Sequence, residues 1–310
     1  MKLLSCAPVA ALALTLAACG GQAAPSPATS DAPSSAGASS SKVAVVASTD
    51  VYGSIAQAIG GDAIQVTSII DDPDKDPHEY TADVQNQLAL SKATVVIENG
   101  GGYDDFVDTM LKSGSSKATV INAADLSGYD QNPKQGEFNE HLWYDFPTVE
   151  KVVDTFTADL GQAAPAEAAT FTANAQSFKT KLSALEAKEA AIKTAHAGDG
   201  VAITEPVPLY LLSASGLVNK TPGEFSEAIE EDTDVSPSVL NQTLKLFSDK
   251  QIKLLAYNEQ TTGPQTEAVL KAAKQNNIAV VPVTETLPAG KDYLTWMGDN
   301  LQAVSDALGS

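Results

Sequence analysis

The stretch PAEAATFTANAQSFKTKLSALEAKEAAIKTAHAG, residues 165–198, decides the fold class. Pro165 suits the first position of a helix, Gly198 suits the position just past its end, and Ala, Lys, Glu and Leu fill the interior. We therefore predict a helix of about 33 residues, about 50 Å long at 1.5 Å per residue. A pair of helices with a kink near Thr180 is also compatible with the sequence.

Short runs of β-branched residues lie on both sides of this helix, separated by segments with apolar residues at helical spacing. Such alternation predicts a parallel sheet in each half. The predicted strands are VAVVAS (43–48), IQVTSII (64–70), TVVIENG (94–100) and TVINA (119–123) before the helix, and VAITE (201–205), KLLAYNE (253–259) and AVVPVTE (279–285) after it. The expected fold is α/β, with two lobes joined rigidly by one long helix.

The N-terminal residues are predicted to be an export signal and a tether. MKLLSCAPVAALALTLAACG has one Lys and an apolar run too short to span a bilayer, and its LAAC (Leu16–Cys19) resembles a bacterial lipobox, whose cysteine is lipidated. An ordinary secreted protein with an incidental Cys19 is the alternative. The predicted boundaries are a signal peptide at 1–18, lipidated Cys19 and a flexible tether at 19–41, an N-terminal lobe at 42–148, a helical linker at 149–198 and a C-terminal lobe at 199–310.

The charge of the chain narrows the ligands it could bind. It has 19 basic residues, all Lys, against 39 acidic ones, for a formal net charge of −20. This balance opposes binding to nucleic acid or to an anionic membrane surface and favours cationic ligands. The absence of Arg from the sequence excludes an arginine clamp for phosphate or carboxylate substrates.

Two of the three histidines lie in loops that are candidates for binding. His78 lies in DDPDKDPHEY, which follows a predicted strand, and ligands of α/β folds bind at the carboxyl ends of parallel strands. His141 lies in NEHLWYDF, where the apolar Leu142, Trp143 and Tyr144 would hold the imidazole still. Alternatively, His78 is an ordinary surface residue, and His141 merely follows two core aromatic residues.

Two carboxylates have a similar placement in the second half. Glu205 ends VAITE and Glu285 ends AVVPVTE, and a carboxylate at the end of a buried strand is costly unless it is paired, hydrogen-bonded or bound to a cation. Pairing with Lys220 or Lys291 is the alternative. Two imidazoles and two carboxylates together would form a site of net charge −2 between the lobes, suited to a divalent first-row metal.

Several segments resemble the solute-binding lipoproteins of manganese and zinc ABC transporters. They are DPHEY, NEHLWYD, TEPVPLYLL, EFSEAIEEDTDVSPSVLNQ and VTETLPAGKDYLTWM. The resemblance implies two α/β lobes, one long helix and a metal in the cleft between them. It places the metal ligands at His78, His141, Glu205 and Glu285. If replacing Glu285 left metal binding unchanged, Asp292 would be the next candidate for the fourth ligand.

The resemblance also implies a role and partners. The chain would be a receptor, not an enzyme, lipid-anchored on the extracytoplasmic face of the cell membrane. As a monomer, it would deliver Mn²⁺ or Zn²⁺ to an ABC permease with its ATPase. A shell of two nitrogen and two oxygen ligands slightly favours manganese by ligand hardness, although zinc binds the same groups more tightly. A membrane-anchored metallohydrolase and a long-helix receptor for a corrinoid or siderophore remain rival interpretations.

Overall fold

The computed structural model of the chain describes residues 42–72, 75, 80, 81 and 83–309. The predicted signal peptide, Cys19, the predicted tether (19–41) and His78 lie outside the described residues. The described part contains two four-stranded sheets, and both belong to one compact unit. Within this part, no helix combines the length and the apolar character needed to cross a membrane.

The first sheet has the strand order β2-β1-β3-β4, and all its pairings are parallel. Buried Val and Ile side chains make β1 and β3 almost entirely apolar, as expected for strands covered on both faces. The elements of this half are β1 (Val43–Thr49), α1 (Asp50–Gly60), β2 (Ile64–Ile70), α2 (Val84–Lys92), β3 (Val95–Glu98), α3 (Asp105–Ser113), β4 (Thr119–Asn122), α4 (Ala123–Ser127) and α5 (Phe146–Ala163).

The second sheet has the order β6-β5-β7-β8 and is also parallel throughout. It thus repeats the pattern of the first sheet, with an early strand at the centre and the last strand at one edge. The elements of this half are β5 (Gly200–Ile203), α7 (Leu209–Ala214), β6 (Val218–Asn219), α8 (Gly223–Glu230), α9 (Pro237–Ser248), β7 (Leu254–Asn258), α10 (Pro264–Gln275), β8 (Ala279–Val283) and α11 (Tyr293–Leu308).

A single uninterrupted helix, α6 (Ala168–His196), connects the two sheets. It has 29 residues, which corresponds to about 44 Å at 1.5 Å per residue. A short 3-10 turn (Pro165–Glu167) precedes it, so the predicted long helix is confirmed without the kink near Thr180. Because α6 packs against α1 and α5 from the first half and against α7 and α11 from the second, it holds both halves.

Side chains also join the halves directly. The hydroxyl of Tyr293, at the start of α11, donates to the backbone carbonyl of Trp143 at 2.6 Å. The hydroxyl of Tyr144 donates to the carbonyl of Thr284 at 2.8 Å, one residue before Glu285. Trp143 and Tyr144 are both buried in a core that runs through both halves. The segment that carries His141 is therefore hydrogen-bonded to residues of the second half that lie close to the C-terminus.

The fold class and all seven predicted strands are confirmed, with shifts of one or two residues at their ends. The eighth strand, β6, has only two residues and lacks a sequence signal. Apart from Gly223, helix α8 lies in EFSEAIEEDTDVSPSVLNQ, which resembles the family but for which no helix at 223–230 is predicted. The predicted domain boundaries stay a prediction.

Candidate metal centre

The loop that presents His141 is held from three directions. Asn99, just after β3, donates its side-chain amide to the carbonyl of Glu140 at 2.8 Å. Tyr210 of α7 donates its hydroxyl to the carbonyl of Asn139 at 2.7 Å, and the Asn139 amide donates to the carbonyl of Pro206 at 3.2 Å. These bonds connect the loop to both halves, so His141 lies where the halves meet.

His141 itself is completely buried. Its Nδ1 lies 2.8 Å from the side-chain oxygen of Asn139, and the same oxygen accepts from the His141 backbone amide at 3.1 Å. The rings of Trp143 and Tyr103 meet the imidazole edge-on, with centroids 5.2 Å and 6.0 Å away. Because Nδ1 is engaged by Asn139, Nε2 is the nitrogen that faces other ligands.

Glu205 follows the end of β5 and Glu285 follows the end of β8, the two strands that flank β7. Glu205 is 3% exposed and Glu285 is 8% exposed. The Asn258 amide, at the end of β7, donates to the Glu285 carboxylate at 2.9 Å, and the Gln260 side chain accepts from the Glu285 backbone amide at 2.6 Å. The second sheet thus holds both predicted carboxylates inside the protein at the carboxyl ends of its strands, which is where the sequence places them.

The structure adds a carboxylate that the sequence reasoning missed. Glu230, the last residue of α8, places its Oε1 3.2 Å from Nε2 of His141, and its side chain is 11% exposed. Ligand atoms of Glu140, His141 and Glu230 all lie within 4.8 Å of one another. Among the described residues, Glu205 and Glu285 are not part of this close set. Glu230 occurs in a run of acidic residues, and only the position of α8 distinguishes it from its neighbours.

Charge nevertheless couples Glu205, Glu285 and Glu230. Burial raises the pKa of the Glu205 carboxyl to about 8, and the negative charges of Glu230 and Glu285 contribute to the shift. Burial lowers the pKa of His141, but the carboxylate of Glu230 outweighs it, with smaller help from Glu140 and Glu285, and the pKa reaches about 10. The carboxylates repel one another and attract positive charge, which is the electrostatics of a cation site.

A cavity of about 490 Å³ leads to this cluster from the surface between the halves. It is bounded by the 137–140 loop on one side and by α8 on the other, and Glu140 and Glu230 both line it. Among the described residues that line it, six are acidic and none is basic: Glu137, Glu140, Glu227, Glu230, Glu231 and Asp232. The approach to His141 is therefore strongly negative.

Two other residues named from the sequence have separate roles. The Asp292 carboxylate caps α11 by accepting from the Thr295 backbone amide at 2.8 Å, so helix capping explains it. The Lys291 ammonium lies 2.6 Å from the Asp299 carboxylate, on the surface. Its observed partner is thus Asp299, whereas the predicted alternative paired it with Glu285.

The family model described as zinc-uptake complex component A, periplasmic (ZnuA), matches residues 45–307. The chain belongs to this family. Two curated relatives are the manganese-binding lipoprotein MntA of Bacillus subtilis and the manganese ABC transporter substrate-binding lipoprotein ScaA of Streptococcus gordonii. MntA is 26% identical over 250 residues, covering 76% of this chain and 77% of MntA. ScaA is 24% identical over 292 residues, covering 89% and 92%.

Solved structures share the fold. The periplasmic zinc-binding protein TroA of Treponema pallidum superposes with a TM-score of 0.73 at 17% identity, covering 86% of this chain and 99% of TroA. FpvC of Pseudomonas aeruginosa, in complex with Mn²⁺, gives a TM-score of 0.70 at 21% identity, covering 87% and 99%. The two-sheet architecture with a long connecting helix is therefore the architecture of this group of binding proteins.

Proposed function

We propose that this ZnuA-family chain is an extracytoplasmic receptor that binds one divalent transition metal and delivers it to an ABC permease. The observation that carries the proposal is the junction of the halves, where a buried imidazole and buried carboxylates lie next to a cavity with an acidic lining. Burying this much negative charge is unfavourable without a cation. The named relatives, which include manganese-binding lipoproteins, support the same role.

The proposed ligands are His78, His141, Glu205 and Glu285. His141 comes from the first half, whereas Glu205 and Glu285 come from the second, so a bound metal would bridge the halves. His78 lies outside the described residues, and we propose it as a ligand because DPHEY resembles the corresponding motif of the family. Metal binding requires a neutral imidazole and ionised carboxylates, so His141 and Glu205 would release protons to the solvent when the metal enters.

Both Mn²⁺ and Zn²⁺ are compatible with the proposed ligands and with the names of the relatives. Carboxylate oxygens suit the harder Mn²⁺, and imidazole suits both ions. Relatives and structural neighbours include proteins named for manganese and for zinc. Ligand hardness slightly favours Mn²⁺, which we propose as the transported ion, although Zn²⁺ binds the same groups more tightly at equilibrium.

Cys19 is proposed to carry the lipid anchor that keeps the receptor near its permease. The LAAC sequence supports this, as do the relatives named as lipoproteins. Replacing Cys19 with Ala is expected to move the protein from the membrane fraction to the soluble fraction. Cys6→Ala is the matched control and should stay with the membrane. Retention of the Cys19→Ala protein in the membrane fraction would contradict the anchor.

The metal-receptor proposal is tested by the metal content of the full chain purified without chelator. We expect about one equivalent of Mn²⁺ or Zn²⁺ per chain, and loss of the metal in His78→Gln and His141→Gln. Because His141 is buried, a melting curve of each variant in chelator must accompany the measurement. His196→Gln is the control, since His196 lies at the end of α6 with its Nδ1 3.1 Å from Asp199. Full metal content in both His78→Gln and His141→Gln would refute the site.

A further inference from the structure

Helix α8 brings an additional carboxylate to the proposed metal site. The Glu230 Oε1 lies 3.2 Å from the His141 Nε2, which is the ring nitrogen left for a metal because Asn139 engages Nδ1. The Glu230 carboxylate thus lies at contact distance from the nitrogen atom that His141 would offer to a metal. Among the carboxylates that raise the pKa of Glu205, Glu230 makes the largest contribution. The charge of Glu230 therefore acts on the ligand from the first half and on a ligand from the second.

The surroundings of Glu230 fit a ligand better than a simple partner of the histidine. It lines the acidic cavity on one side and faces the completely buried imidazole on the other. A cation that enters through the cavity meets Glu140 and Glu230 before it reaches His141. The two carboxylates and the imidazole already have ligand atoms within 4.8 Å of one another, which is close enough for one ion to contact all three.

We propose that Glu230 is a direct ligand of the transported metal, in addition to His141, Glu205 and Glu285. This inference rests on the proposed function and deepens it. With Glu230, the described part of the proposed site has one imidazole nitrogen donor and three carboxylates. Zn²⁺ is satisfied by four ligands in tetrahedral geometry, whereas Mn²⁺ takes more oxygen ligands. Glu230 should therefore contribute more to the affinity for Mn²⁺ than to the affinity for Zn²⁺, and act as a specificity-determining residue.

A purely structural ion pair between Glu230 and His141 predicts a different outcome. If Glu230 only neutralised the imidazole, replacing it would remove a group that competes with the metal for Nε2. The affinities for Mn²⁺ and for Zn²⁺ would then either both rise or both stay at their wild-type values. A ligand role predicts loss of affinity and a change in the ratio of the two affinities. That ratio is measured within one variant, so a partial loss of folded protein does not change it.

The test is calorimetric titration of the chelator-treated full chain with Mn²⁺, followed by competition with Zn²⁺. For Glu230→Gln we expect Mn²⁺ affinity to fall about tenfold to a hundredfold, with a smaller loss for Zn²⁺. Glu230→Asp, which keeps a carboxylate, should recover part of the Mn²⁺ affinity. Glu231→Gln is the matched control, because it removes the same charge from the neighbouring residue of the same cavity, and it should stay within about twofold of the wild type.

Three results would overturn the inference. They are an unchanged or tighter Mn²⁺ affinity in Glu230→Gln, an equal loss in Glu231→Gln, and equal losses for Mn²⁺ and Zn²⁺. Failure of the proposed function itself looks different, because then the wild-type chain would bind neither metal. If the wild type bound metal and Glu230→Gln bound it equally well, the proposed receptor function would stand. Only the assignment of Glu230 as a ligand would then be wrong.

Discussion

Asn139 is the residue that fixes the orientation of the His141 imidazole. Its side-chain oxygen accepts from the backbone amide of His141 and lies 2.8 Å from Nδ1, while its amide reaches the carbonyl of Pro206 in the other half. One side chain thus orients a proposed ligand and ties the two halves together beside Glu205. Such partners of metal-bound histidines select the tautomer and the ring orientation.

Asn139→Ala is expected to weaken metal binding about tenfold to a hundredfold, because the imidazole is then free to rotate. Asn139→Asp keeps the acceptor oxygen and should retain more affinity than Asn139→Ala. Asn132→Ala, an exposed residue of the same loop, is the control and should bind as the wild type does. Mn²⁺ titration of the three variants is the measurement, and wild-type affinity in Asn139→Ala would show that the imidazole is oriented by other groups.

At the residue scale, the sequence predicts candidate ligands from their positions at the ends of strands. It does not predict Glu230, whose role depends on the three-dimensional packing. Glu205 and Glu285 could be predicted because each ends an apolar strand, where a carboxylate requires an explanation. Glu230 lies in EFSEAIEED, which holds five acidic residues. Phe225 and Ile229 mark the buried face of α8, but which acidic residue reaches His141 depends on where α8 packs in the fold, and the local sequence does not give that position.

At the scale of elements, the strands were predictable because parallel strands buried on both faces appear in the sequence as continuous apolar runs. Helix α6 was predictable from its length, its composition and its terminal Pro and Gly. Its uninterrupted course was not, because contacts with α1, α5, α7 and α11 decide it. Strand β6 has two residues, and such a short run does not differ from a loop in the sequence.

Helix α6 carries a buried glutamate that should make stability depend on pH. Burial raises the pKa of Glu189 to about 8, with smaller contributions from the charges of Glu186 and Asp145. In the unfolded chain the pKa of Glu189 takes its ordinary value of 4.5. Between these two pH values the folded state keeps a proton that the unfolded state has lost, so the free energy of unfolding falls as the pH rises through this window.

Glu189→Gln should remove this dependence. The variant is expected to be more stable than the wild type by about 1–3 kcal/mol at pH 8, because a neutral amide replaces a charge in an apolar environment. Near pH 4 the two proteins should differ little. Urea unfolding of chelator-treated protein at both pH values is the measurement, with exposed Glu267→Gln as the control. A stability difference that is the same at pH 4 and pH 8 would contradict a raised pKa for Glu189.

At the scale of the whole molecule, the contacts between the halves determine where the site lies. The hydrogen bonds of Tyr293 to Trp143 and of Tyr144 to Thr284 join positions more than a hundred residues apart. The sequence indicates two lobes and candidate ligands in each, but the packing of one lobe on the other follows from these contacts. For this reason the general location of the site could be predicted, and the cavity with its acidic lining could not.

A metal that bridges the halves should stabilise the whole fold. An ion that binds only the folded state adds RT ln(1 + [L]/Kd), which is about 4 kcal/mol at a thousandfold excess over Kd. We therefore expect the melting temperature at neutral pH to rise by several degrees with excess Mn²⁺ or Zn²⁺ relative to chelator. Near pH 4.5 the rise should shrink, because protons compete for the imidazoles and carboxylates. Equal melting temperatures with metal and with chelator at neutral pH would mean that no metal bridges the halves.

The central claim is that this chain binds one divalent metal where its halves meet. Its most direct test is calorimetric titration of the chelator-treated full chain with Mn²⁺ at neutral pH, run beside Glu205→Gln. The wild type should show a single saturable transition at about one equivalent per chain, and Glu205→Gln should bind at least about tenfold more weakly because it loses an anionic ligand. Absence of saturable binding in the wild type, or identical titrations for the two proteins, would contradict the account.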